Sequence, residues 1–263
     1  EGRVGGADGA VAFRVTLGAD GKITLDQVRA LVHPDATDSN DPLSLGEGKI
    51  SLTATVTDAD GDHQSSSLDL GSRLTFLDDG PSISVGNTEG LHLTVDETHL
   101  GVTDTSSTSV ADLFTTHFGA DGAGCITYKL GTTDGTDSGL KDTATGSRIF
   151  LYNTANGVEG RVEGTSLVAF SVTQQNGVIT LDQQRALVHL ITTDSNDPLS
   201  IGTGKISLTA TITDGDGDHA SASVDLGGKL TFLDDGPSIQ PCTDADISLV
   251  VDESTLGSAA RVE

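Results

Sequence analysis

The chain has no methionine, no tryptophan, two tyrosines, two cysteines and only 14 lysines and arginines among its 263 residues. Each scarcity removes a class of function. Against those few basic groups stand 39 aspartates and glutamates, giving a formal charge of −25 and a pI near 4.2. Nucleic acid and anionic membrane surfaces would repel such a chain, and cations are its natural partner. With so few aromatic faces, a sugar ring finds little to stack on. Cys125 and Cys242 belong to no CxxC pair and no Cys/His cluster with zinc spacing, so two unpaired thiols are expected. No apolar run approaches the ~20 residues that cross a bilayer, so no membrane insertion is expected. The sequence opens without a start methionine or signal-like segment, and export information is expected outside it.

What the chain does have is repetition. Residues 23–83 recur at 179–239, an offset of 156, with 48 of 61 positions identical. Fixed-period self-similarity marks a repeat architecture, and a period this long fits one ordinary domain per repeat, within the usual ~100–200 residues. Glu159-Gly160-Arg161-Val162 echoes Glu1-Gly2-Arg3-Val4, and Val251-Asp252-Glu253 echoes Val95-Asp96-Glu97. The expected division is residues 1–86 as the C-terminal part of one repeat, 87–242 as a complete repeat, and 243–263 as the opening strand of a third. Cys242 aligns with Gly86, so it lies outside the chemistry that the repeat requires.

An acidic composition can mean disorder, but 35% of the residues are hydrophobic and they are patterned, which favours folding. Ile50, Leu52, Ala54 and Val56 alternate with Ser51, Thr53, Thr55 and Thr57, the period of a half-buried antiparallel strand. Leu68 and Leu70, then Leu74 and Phe76, continue on a second strand to form a hairpin with a long acidic loop. Further strands are predicted over 91–97, 125–130, 148–152, 157–163, 167–174 and 177–181. Many short strands separated by Gly, Asp, Ser and Thr turns indicate an all-β sandwich. Only Asp182 to His189, with its twin Asp26 to His33, reads as a helical turn.

Four acidic motifs carry the candidate chemistry. The first is Asp58, Asp60 and Asp62 around Gly61, repeated as Asp214, Asp216 and Asp218 around Gly217. Carboxylates at alternate positions let one loop curl until several oxygens converge, as a hard cation with six to eight oxygen ligands requires. Three such charges within five residues repel one another unless something neutralises them. The loop is not an EF-hand, because His63 and His219 stand where that motif needs glycine. Asp69 and Asp225 read as ordinary exposed strand residues. The second motif is Asp78-Asp79-Gly80-Pro81, repeated at Asp234 and Asp235, and the third is Asp96-Glu97, repeated at Asp252-Glu253. The fourth runs from Asp38 to Pro42 and again from Asp194 to Pro198. Asp, Asn, Gly and Pro also serve turns for local reasons alone. The last strand of a repeat must run toward the next repeat, so Asp78 and Asp79 are expected to meet Asp214, Asp216 and Asp218 of the following unit, with Asp96 and Glu97 nearby.

Asp-x-Asp-Gly-Asp, then Leu-Thr-Phe-Leu-Asp-Asp-Gly-Pro-Ser-Ile, then Val-Asp-Glu, at this period, resembles the tandem repeats of giant RTX (repeats-in-toxin) adhesins of Gram-negative bacteria. The resemblance covers essentially the whole chain, although the glycine-rich nonapeptide that names the group is absent. It implies tandem immunoglobulin-like β-sandwich domains in an elongated array, rigidified by Ca2+, secreted by a type I system and located at the bacterial cell surface. There they would serve cell adhesion and biofilm formation. The partners it implies are calcium ions and neighbouring repeats of the same chain, and the ligand positions it carries over are Asp58, Asp60, Asp62, Asp214, Asp216 and Asp218.

Catalysis is not expected: His33/His189 and His63/His219 recur without a recognisable nucleophile or ligand motif, and every acidic cluster repeats with the domain, which suits construction better than one active site. Two alternatives remain open, a calcium-dependent glycan- or peptide-binding module and a self-assembling filament of several copies in which a strand of one chain completes the sandwich of another.

Overall fold

The computed structural model describes residues 1–237, 239–240, 251, 253–255 and 257. Asp252 and Cys242 lie outside the described residues. The fold is all β with short 3-10 turns, as the alternating pattern predicts.

From Ser82 onward the strands pack as a two-layer sandwich. One layer is an antiparallel sheet in the order Asp104–Thr105, Val178–Gln183, Val168–Gln175, Gly157–Val162, Arg148–Thr154 and Thr136–Lys141. Beside Val178–Gln183 lies Leu93–Asp96, which pairs in parallel with Leu230–Leu233. The facing layer runs Ala123–Gly131, Ser207–Asp214, His219–Asp225, followed by the Ser82–Val85 and Phe114–His117 pair. Because side chains alternate across a strand, Ile206, Leu208 and Ala210 enter the core between the layers, and Ile212 on the same face is fully buried. On the outer face, Thr209 and Thr211 meet Ser223 and Ser221 across the hairpin at 2.8 and 2.7 Å. Ser82–Val85 pairs forward, so the folded unit begins before residue 87, where the sequence placed its boundary.

The first copy repeats the local structure without the full enclosure. Among the described residues Ser51–Thr57 pairs only with His63–Asp69, whereas its twin Ser207–Asp214 is also covered by Ala123–Gly131. The same alternation therefore has opposite burial: Ile212 is 0% exposed and its twin Val56 is 71% exposed. A small core survives around Phe13 and Phe76, whose rings sit 5.0 Å apart, close to the 5.1 Å between Phe170 and Phe232 in the complete unit.

Two local expectations are corrected. Asp182 to His189 is not helical. Gln184 and Arg185 N–H both donate to the Ala169 carbonyl at 2.8 and 3.2 Å, and Val188 N–H donates to Lys141 O at 2.9 Å. The Arg185 guanidinium is held in a two-pronged pair with buried Asp142, at 2.7 and 3.1 Å. These tertiary partners outweigh a helical preference worth only tenths of a kcal/mol per residue. Leu68 to Phe76 is not one strand either: a 3-10 turn at Gly71–Arg73 breaks it, and Thr75–Leu77 leaves to pair with Pro42–Ser44. Asp69, read as an ordinary surface residue, organises that turn by accepting from Gly48 N–H at 2.9 Å and the Ser72 hydroxyl at 2.9 Å.

The contrast between copies gives a paired test. Ile212→Ala is expected to destabilise by about 2–4 kcal/mol, as for a large aliphatic residue removed from a packed core. Val56→Ala should stay within about 0.5 kcal/mol. Denaturant midpoints of the two variants decide it, and equal losses would mean that Val56 is covered in solution.

Candidate metal centre

The site is assembled where the first unit runs into the second. In the loop between Ser207–Asp214 and His219–Asp225, Asp214 N–H donates to Asp218 O at 3.0 Å and Gly217 N–H donates to the Asp214 carboxylate at 3.1 Å. Gly217 sits at φ 114° and its twin Gly61 at φ 100°, a left-handed conformation that L side chains rarely adopt. Closing the loop this way gathers Asp214, Asp216 and Asp218.

The first unit reaches this loop from the opposite side. Thr75–Leu77 ends at Asp78, and the chain then passes so close to the loop that a Cβ on Gly80 would lie 3.0 Å from the Asp218 Oδ2. His33 N–H donates to the Asp216 carboxylate at 3.0 Å. A third segment enters just before Ala123–Gly131, carrying Asp121. Asp78, Asp121 and Asp216 each place a carboxylate oxygen within 4.8 Å of the others.

Electrostatics at this seam are unfavourable as the protein stands. Asp78 is 8% exposed and Asp218 2% exposed. Both oxygens of Asp78, one each of Asp214, Asp216 and Asp218, and the Nδ1 of buried His33 have no hydrogen-bond partner. Burial pushes the Asp218 carboxyl up to about 7, reinforced by the adjacent Asp78 carboxylate and by the charges of Asp216 and Asp214. Burial also raises Asp121, reinforced by Asp216, Asp78 and Asp214, and it raises Asp214. Asp216 moves the other way, lowered first by the His33 backbone N–H. Leaving buried carboxylate oxygens unsatisfied costs about 1–3 kcal/mol per group, more when charged. An all-oxygen donor set of this kind suits a hard divalent cation, and the orphaned oxygens fit one.

Asp78 lies beside the Asp214–Asp218 loop, whereas Asp79 is exposed. Asp96 and Glu97 are corrected: they lie at the other end of the complete unit. Leu93–Asp96 runs parallel to Leu230–Leu233, with Asp96 opposite Leu233, because Ser82–Val85 first carries the chain back along the unit. Asp96 accepts from Thr98 N–H at 2.8 Å, and Glu97 joins His189 and Asp234 in a separate cluster. Asp235 and Glu253 are exposed. Asp58, Asp60 and Asp62 also place oxygens within 4.8 Å of one another, all exposed. Asp58 is lowered chiefly by a hydrogen bond with Asp60.

Sequence reasoning missed Asp121, whose counterpart one period upstream would precede Glu1, so no second copy drew attention to it. It also left His33 and His189 without partners. Their recurrence was the available signal.

A family model described as a domain of unknown function (DUF5801) matches residues 1–71 and 92–227, most of the chain, and the chain belongs to that family. No curated protein and no solved structure matches it.

The raised carboxyls fix the sign of a pH effect. A folded state that holds protons more tightly than the unfolded chain loses stability as pH rises from the ordinary value of 3.8 through about 7. Carboxyls held below their ordinary value, such as Asp142, act below that window. In chelator, the melting temperature should therefore fall between mildly acidic and mildly alkaline buffer. With a divalent cation added the trend should weaken or reverse, since protons and metal compete for the same oxygens. A metal-free melting temperature that rises across this range would contradict the burial of these groups.

Proposed function

We propose that this member of the DUF5801 family is a non-catalytic, calcium-rigidified extender module of a large secreted or cell-surface bacterial adhesin, serving cell adhesion and biofilm formation. The observation that carries this reading is the convergence of buried and half-buried carboxylates from two successive repeats, Asp78 on one side and Asp214, Asp216 and Asp218 on the other, each with at least one oxygen that has no hydrogen-bond partner. Calcium accepts six to eight oxygens in adaptable geometry, and extracellular modules of this type bind it with dissociation constants of ~10⁻⁴–10⁻³ M. Binding at tenfold excess over the dissociation constant stabilises by about 1.4 kcal/mol per site. That is modest for one joint, but the same joint recurs at each period of the array. Because the ligands come from both sides of a seam, the ion stiffens the connection between repeats as well as the loop. A cluster that repeats with the domain suits construction, and the net charge of −25 makes the ion-free string self-repelling.

A second reading, a filament completed by strand addition, is favoured by one feature. Among the described residues Ser51–Thr57 pairs on one side only, leaving Val56 and Leu68 exposed. A strand from another copy would complete it in the way that Ala123–Gly131 completes Ser207–Asp214. Sedimentation separates the two readings: monomers in calcium support the extender, and polymers support the filament.

Small-angle scattering of the whole chain should give a larger maximum dimension in calcium than in chelator, and an unchanged dimension counts against a rigidified joint. Asp216→Ala should abolish most of the calcium-dependent rise in melting temperature. His219→Ala, at an exposed position in the same loop, should preserve it. Equal losses would mean that the loop does not coordinate the ion.

A further inference from the structure

The far end of the complete unit holds a cluster with different chemistry. Glu97, His189 and Asp234 bring one donor atom each within 4.8 Å of one another. His189 is enclosed, its side chain 4% exposed, with Nε2 3.3 Å from Glu97 Oε1. The same Glu97 oxygen accepts from Leu187 N–H at 2.7 Å and from the Gln183 amide at 2.9 Å. Glu97 is thereby fixed, and the imidazole turns Nε2 toward it; with the carboxylate ionised, a neutral ring donates Nε2–H to it.

That assignment leaves Nδ1 as a lone pair. It has no hydrogen-bond partner; its neighbour Asp197 Oδ2 lies 3.9 Å away and is already accepting from Leu190 and Ile191 N–H at 3.2 and 3.0 Å. The cluster's remaining donor group, the Asp234 carboxylate, is likewise an acceptor. A buried lone pair among acceptors is satisfied by a cation. The carboxylate–histidine pair is the arrangement that orients an imidazole toward a metal and increases its basicity.

The repeat supplies a second, independent observation. The twins of His189 and Asp234 are His33 and Asp78, built by the same contacts: Asp78 and Asp234 N–H donate to Asp41 and Asp197 O at 3.2 and 3.3 Å. In the twin, the Nδ1 of buried His33 is again without a partner, as are both oxygens of buried Asp78, whereas Asp234 Oδ1 accepts from Asp235 N–H at 2.9 Å; Asp78 belongs to the seam with Asp121 and Asp216. The carboxylate at this repeat position joins an all-oxygen set in one copy, as Asp78, and a set containing imidazole in the other, as Asp234.

We propose that Glu97, His189 and Asp234 form a mixed nitrogen–oxygen site for a divalent transition metal of the zinc class, at the end of the complete unit opposite the Asp78–Asp216 seam. His189 Nδ1 and the Asp234 carboxylate are ligands, and Glu97 positions the imidazole. Imidazole favours zinc-class ions over calcium, whereas carboxylate alone favours calcium, so the two ends of the complete unit select different ions. Filling the mixed site does not require the calcium reading.

The test uses the whole chain without a histidine tag, dialysed against micromolar Zn2+ in millimolar Ca2+, with bound zinc counted. One zinc per chain is expected. Affinity should fall at least tenfold in His189→Ala and in Asp234→Asn, and about tenfold in Glu97→Gln, the usual effect of removing an orienting carboxylate. Asp216→Asn, in the other donor set, should keep zinc affinity within twofold while losing calcium-dependent stabilisation, so that failure of the calcium joint is told apart from failure of the zinc site. Co2+ as a spectroscopic substitute should give visible ligand-field bands in the wild type that vanish in Asp234→Asn, a variant at a partly exposed position that does not disturb the enclosed histidine. Absence of retained zinc under calcium, or retention by His189→Ala and Asp234→Asn equal to that of the wild type, overturns the proposal.

Discussion

Mutual repulsion between carboxylates that the fold buries at the meeting of two repeats is the constraint on which the remaining features depend. The chain brings Asp78 under the Asp214–Asp218 loop, gives these oxygens almost no N–H donors, and shields them from water. At an effective dielectric constant near 20, two unit charges 4 Å apart repel by about 4 kcal/mol. Either protons or a cation must relieve this, and the rise of Asp218 to about 7 is the protonic answer. A divalent ion is the alternative that would act at neutral pH.

The sandwich makes the seam possible by fixing where each strand ends. Ser207–Asp214 and His219–Asp225 form a hairpin whose turn faces the preceding unit, while Thr75–Leu77 leaves that unit toward the turn. Glycines at 80 and 217 permit the close approach and the tight loop. Ser82–Val85 then carries the chain away along the second unit, and for this reason Asp96 and Glu97 arrive at the opposite end, beside Asp234. The distribution of charged side chains follows from strand direction more than from their spacing in sequence.

Much of this was legible from the residues. The alternation from Ile206 to Ile212 predicted a half-buried strand, and the offset of 156 between copies brought the Asp-x-Asp loop and the Asp-Asp-Gly-Pro turn forward together. What the residues withheld depends on distant partners. The Asp182 to His189 stretch has a helical composition, but Ala169, Lys141 and Asp142 hold it extended. Asp121 carries no local motif and becomes visible only when the loop before Ala123 folds onto Gly215. His189 gains meaning from Glu97, 92 positions earlier. Burial itself was legible only by comparison with a complete unit, since nearly identical strands face water in one copy and the core in the other.

The central claim is that the seam takes up a hard divalent cation, and calorimetric titration of the metal-free chain with calcium at neutral pH tests it most directly. Uptake saturating at millimolar calcium or below, with protons released as the raised carboxyls ionise, is the expected result. Absence of binding at millimolar calcium, in a chain shown to be folded, would contradict the account.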